Sequence, residues 1–157
     1  MVKNLNYFMR EPKDEIVKAL GPETIKDENG KVIEFEIKVL SQATLTKIND
    51  NYETKSIATD KKGNPLVVNG EVVWKIEKDS ARAVRHVIAE ALVYPDLKNP
   101  ELMDFYKCND ISEMPLLVFP KSEEYNHVLK IVYSALGIGD YGKDDIKTEN
   151  DIDEAKN

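Results

Sequence analysis

Val32-Ile33-Glu34-Phe35-Glu36-Ile37-Lys38-Val39 alternates apolar and charged residues without a break. Extended backbone sends successive side chains to opposite faces. Ile33, Phe35, Ile37 and Val39 therefore share one side, and Glu34, Glu36 and Lys38 the other. The segment reads as a half-buried strand and places a sheet with one wet face in the N-terminal half. Just upstream, Asp27-Glu28-Asn29-Gly30 is turn chemistry, because Asn and Gly tolerate the positive φ of a tight turn. An Ile16-Val17 pair can begin a further strand.

Downstream, Leu66-Val67-Val68 and Glu71-Val72-Val73-Trp74 flank Asn69-Gly70. A two-residue Asn-Gly loop between β-branched runs favours a type I′ hairpin, with Trp74 expected to pack one of its faces. Ser41 can cap a helix running to about Lys55, with Leu45, Ile48 and Tyr52 on one side. Asp79 caps another that ends before Pro95. On a helical wheel Ala81, Val84, Val87, Ile88, Ala91 and Leu92 lie opposite Arg82, Arg85, His86 and Glu90. Asn99-Pro100-Glu101 starts a short helix with Leu102, Phe105 and Tyr106 as its apolar side. Met114–Pro120 is an apolar connector whose two prolines argue against a central strand and for burial beneath helices. A last helix runs from near Ser122 to Gly137, with Tyr125, Val128, Leu129, Val132 and Leu136 facing the core. The expected fold class is α+β: a small antiparallel sheet with an Asn-Gly hairpin, packed with three to four helices, and a mostly helical C-terminal half.

The 157 residues suffice for one domain, with 41% apolar and 32% charged residues. Net charge is −7, and residues 139–157 carry seven acids against three lysines. With Tyr141, Ile146, Ile152 and Ala155 as their apolar content, they read as a flexible acidic tail behind a single domain of residues 1–138. The charge speaks against nucleic acid and anionic membranes as partners. No apolar run is long enough for a bilayer span, and the N-terminus lacks a signal-like apolar region. One cysteine, Cys108, excludes an internal disulfide framework, so a cytoplasmic location is expected.

Motifs for chemistry are few. Gly137-Ile138-Gly139-Asp140-Tyr141-Gly142 spells G-x-G-x-x-G, but a helix precedes it and acids follow, where a dinucleotide site needs a strand before and a helix after. Aligning Gly30 with the sixth position of a calcium loop puts Ile25 at the first ligand position, which supplies no side-chain oxygen. His86/Glu90 and Glu123/His127 are spaced i,i+4, and two ligands make no zinc site. No cofactor, metal or catalytic residue is assigned. Two stretches are candidate partner contacts. Arg82, Arg85 and His86 form a basic stripe that is either a solvated face balanced by Glu77, Asp79 and Glu90, or a docking face for an acidic partner or the chain's own tail. Tyr7, Phe8 and Met9, within Asn4–Met9, are either pinned down or an apolar arm that clips onto a partner.

Read in order, several stretches resemble the XkdN-like tail assembly chaperones of tailed phages and prophages. They are Asn29–Ser41, Asn69–Trp74, Lys78–Leu97, Pro100–Tyr106, Met114–Pro120, and Glu124-Tyr125 with the helix to Leu136-Gly137. The most telling is Glu90–Leu97 followed closely by Glu101-Leu102, and the likeness spans residues 5–138. The resemblance implies a non-enzymatic protein of the bacterial host cytoplasm. It would bind the long helical tape measure protein, keep it soluble during virion assembly, and be absent from the finished particle. Self-association is a further expectation. It implies no catalytic residues. Helices 79–93 and 122–136, with Tyr7, Phe8 and Met9, are expected to border the binding groove. Two other readings stand beside it. One is an acidic regulatory or inhibitory protein that binds a basic host factor through its tail. The other is a small cofactor-free enzyme in which Cys108 meets His86 or His127.

Overall fold

The structure is a computed structural model and describes residues 3–138. The acidic segment 139–157, and with it most of the glycine motif, lies outside the described residues. A three-stranded antiparallel sheet has the order β1-β2-β7, from β1 (Ile16–Leu20), β2 (Glu34–Lys38) and β7 (Leu92–Tyr94). The pairs Val17↔Ile37, Ala19↔Phe35 and Ile37↔Leu92 turn one face inward. The pairs Ile16↔Lys38, Lys18↔Glu36 and Leu20↔Glu34 turn the other to solvent. The alternation in Val32–Val39 thus does what its period requires: Phe35 and Ile37 are buried while Glu34 is exposed.

Two helices cover the inner face. In α2 (Ser80–Ala91), Ala83, Val87, Ile88, Ala89 and Ala91 are buried, and the Asp79 side chain caps the helix by accepting from the Arg82 amide. In α5 (Ser122–Ala135), Val128 and Val132 are buried, and Gly137 follows with φ 78°. α1 (Gln42–Asp50) is capped by Ser41 and contributes Leu45 and Ile48. α3 (Pro100–Phe105) and α4 (Met114–Val118) complete the body. Phe119, after α4, packs its ring 5.9 Å from that of Phe35.

Residues 53–78 leave this body as an arm. β3 (Glu53–Ile57) pairs with β6 (Trp74–Lys78), and between them β4 (Val67–Val68) pairs with β5 (Glu71–Val72). Asn69 and Gly70 have φ 53° and 80°, the double positive that a type I′ turn needs. A closed set of backbone bonds knits the strand junction: Ala58 N–H to Val73 O, Val73 N–H to Leu66 O, and Leu66 N–H to Ala58 O. The arm's other turn repeats one in the body. Asp27 Oδ1 accepts from the Asn29 and Lys31 amides, and Asp60 Oδ1 from those of Lys62 and Asn64. A glycine at positive φ follows each aspartate three residues on, Gly30 and Gly63.

Four expectations change. The helix after Ser41 stops at Asp50 rather than near Lys55, because residues 53–57 gain ladder bonds to a strand some twenty residues away, a pairing that nothing within 41–57 reports. Leu92–Tyr94, read as the end of a helix, is an edge strand of the sheet. Met114–Val118 is a helix, Pro115 sitting in its first turn where a missing N–H leaves no bond unmade, which brings the α-helices among the described residues to five. Phe105 is exposed and meets the Tyr106 ring edge-on instead of joining the core.

Candidate functional site

The basic stripe turns inward on its own chain. Arg82 donates from Nε to Ser112 Oγ at 2.9 Å, and its Nη2 pairs with Asp110. Arg85 donates from Nε to the Ser112 carbonyl at 2.9 Å, with Nη2 3.4 Å from Glu113. Ser112, fully buried, donates from Oγ to Asp110 Oδ1 at 2.7 Å. That hydroxyl bond, more than the guanidinium of Arg82, holds the Asp110 carboxyl below its usual range. Their partners therefore come from the 110–113 loop, not from the helix neighbours Glu77, Asp79 and Glu90. Two arginines one turn apart fasten α2 to that loop.

His86 belongs to the root of the arm. Its Nδ1 lies 2.5 Å from the Tyr52 hydroxyl, the rings meet edge-on, and burial lowers the imidazole pKa. The Arg82 guanidinium stands 5.6 Å from the centre of the Tyr52 ring, and the Tyr52 carbonyl accepts from the Asp79 amide. Tyr52 thus ties the first residue before β3 to the cap of α2. His127 has its Nε2 2.8 Å from the Leu20 carbonyl, and Cys108 Sγ donates to the Asp110 carbonyl. Cys108 and the histidines keep separate partners, and Glu90 pairs with Lys98. Among the described residues no three His, Cys, Asp or Glu side chains gather as metal ligands.

Apolar surface lies elsewhere; besides Ile16, Leu20 and Tyr94 of the sheet, Phe105, and Leu116 and Leu117 of α4, it gathers in three places. Leu5–Phe8 forms a 3-10 turn capped by Asn4, with Leu5, Tyr7, Phe8 and Met9 each at least 70% exposed. Between β1 and α5 a groove of about 360 Å³ is lined by Val17, Ala19, His127, Lys130, Ile131 and Ala135 among others. α5 lines this groove with its His127–Ala135 side, while α2 lines no part of it. The third place is the arm. Its ladder puts Ile57 opposite Trp74, Lys55 opposite Ile76 and Glu53 opposite Lys78 on one face, and Ser56/Lys75 and Thr54/Glu77 on the other. Ile57, Trp74 and Ile76 are 44, 61 and 55% exposed. Sequence reasoning ended the hairpin at Trp74 and missed this face. The alternation of Trp74 and Ile76 with Lys75 and Glu77 was the signal that could have found it.

The fold and these surfaces define a small α+β scaffold that, among the described residues, satisfies its buried polar side chains and holds apolar ones out in solvent. The model of the phage XkdN-like tail assembly chaperone family matches residues 5–156, and the chain belongs to that family, with a role in phage tail assembly. The match continues through the acidic segment, where the resemblance by individual stretches stopped. The crystal structure of the protein yqbn shares the fold, with a TM-score of 0.65 and 22% identity over 87% of this chain and 98% of that one. No curated protein matches the chain. Among the described residues no helix is long and apolar enough to cross a membrane.

Proposed function

We propose that this chain binds the tape measure protein of the tail and keeps it soluble in the host cytoplasm, without covalent chemistry and without entering the finished particle. A long helical protein waiting for its tube to polymerise exposes apolar stripes and aggregates. The observation that supports covering such stripes is the amount of apolar side chain this small protein leaves unpartnered, at Tyr7, Phe8 and Met9 and along the arm. Its charge of −7 then keeps the complex dispersed. In this reading Tyr7, Phe8 and Met9 touch the partner. Arg82, Arg85 and His86 act indirectly, by holding α2, the 110–113 loop and the root of the arm in place.

Co-expression with overlapping fragments of the tape measure protein tests the proposal. Wild-type chain is expected to move at least one fragment from the pellet to the soluble fraction and to co-purify with it. Failure with every fragment overturns it. Binding that survives about 0.5 M salt separates an apolar contact from the acidic-regulator alternative, whose exposed charge pairs would be screened.

A further inference from the structure

We propose that the face of the β3–β6 ribbon bearing Ile57, Trp74 and Ile76 is where the partner docks, and that it receives an amphipathic helix whose apolar stripe is bordered by carboxylates. The inference rests on the tail-chaperone reading and says which surface acts and what chemistry it meets.

The arm differs in charge from the rest of the molecule. Residues 53–78 hold five lysines against four acids, in a chain of net −7. Most of those acids are already engaged. Glu53 pairs with Lys78 at 3.1 Å, Glu77 with Lys75 at 3.0 Å, and the Asp60 carboxylate is bound by its own turn. Lys55, Lys61 and Lys62 are exposed and have no acidic partner among the described residues. Lys55 stands on the apolar face itself, directly across from Ile76 and one rung from the Ile57–Trp74 pair. An apolar occupant with acids along its border therefore matches the ribbon, and one with lysines there is repelled.

Spacing favours a helix lying along the ribbon. Same-face residues of a strand repeat every ~6.7 Å, and residues i and i+4 of a helix every ~6 Å. Two successive positions of a helical apolar stripe thus fall in step with Trp74 and Ile76, and the polar reverse face, Ser56, Lys75, Thr54 and Glu77, stays in water.

Trp74 is the single tryptophan of the chain, so its emission reports on this face alone. The probes are two helical peptides with the same leucine stripe, one bordered by glutamates and one by lysines, titrated into the full chain. The glutamate peptide is expected to shift the emission to the blue and to bind about tenfold tighter, since two or three exposed ion pairs form instead of clashing. Lys55→Glu with Lys61→Glu and Lys62→Glu should reverse that preference. Ile57→Lys with Ile76→Lys should abolish both the shift and the rescue of tape measure fragments on co-expression. Equal binding of the two peptides, an unmoved emission, or a wild-type dimer dissolved by the isoleucine substitutions overturns the assignment, the last by giving the face to a second copy. If the isoleucine double variant still keeps fragments soluble, the ribbon assignment fails and the chaperone reading survives. If the wild-type chain rescues no fragment, the chaperone reading fails and the assignment falls with it.

Discussion

Phe35-Glu36-Ile37 and Trp74-Lys75-Ile76 carry one pattern, an aromatic, a charge and an isoleucine, and meet opposite ends. Phe35 and Ile37 are 1 and 0% exposed beneath α2 and α5, whereas Trp74 and Ile76 are 61 and 55% exposed on a ribbon that no helix among the described residues covers. Both strands sit in antiparallel ladders, regular between β1 and β2 and between β3 and β6, with a register shift at Glu36/Ile37 where β2 meets β7. The same local code therefore builds a core in one place and a surface in the other. Alternation fixes which side chains share a face; what that face meets depends on the elements that arrive from elsewhere in the chain.

The difference makes measurable claims. The largest is at Phe35: Phe35→Ala empties a site packed against Phe119 and should cost ~3–5 kcal/mol in urea unfolding. Next is Gly21, where an added Cβ would stand 2.5 Å from the Phe35 ring. Gly21→Ala should lose ~1–3 kcal/mol by overpacking, whereas an added methyl on an exposed arm side chain, away from the positive-φ Gly63 and Gly70, should be near neutral. Ser112→Ala removes the buried hydroxyl that joins Arg82 to Asp110 and should lower stability by ~1–2 kcal/mol in the same assay.

A smaller effect follows from pH. The Asp110 carboxyl sits below its ordinary value of 3.8 in the fold, so its contribution is complete above that pH and fades as the pH falls through the lower folded value. The stability gap between wild type and Asp110→Asn should hold steady from neutral pH to about pH 4 and narrow below it. The smallest effect is at Trp74: Trp74→Ala should change unfolding stability by no more than ~0.5 kcal/mol, because little is buried there. A loss at Trp74 as large as that at Phe35 would mean that the ribbon is packed in solution, and the contrast between the two regions would be gone.

Much of the fold was legible. The strand at 34–38, the caps at Ser41, Asp79 and Asn99, the Asn-Gly turn and the stop at Gly137 all follow from residues within a few positions of one another. The short strand Leu92–Tyr94 was not, because three residues continuing a helical apolar pattern acquire strand geometry only by pairing with β2. Of the candidate site, Tyr7, Phe8 and Met9 were legible as an apolar cluster, and all three are exposed. Arg82, Arg85 and His86 were legible as a face of α2, yet their partners at Asp110, Ser112, Glu113 and Tyr52 lie about thirty positions away in sequence.

The sequence by itself determined most of the periods and punctuation: the strand at 34–38, the starts of the longer helices, the turns, and which side chains travel together. Tertiary structure decided which apolar faces are covered, which charges find partners, and that residues 53–78 stand away from the core. Local backbone preference acts over a few residues, whereas burial and ion pairing depend on distances between segments that meet only once the chain has folded.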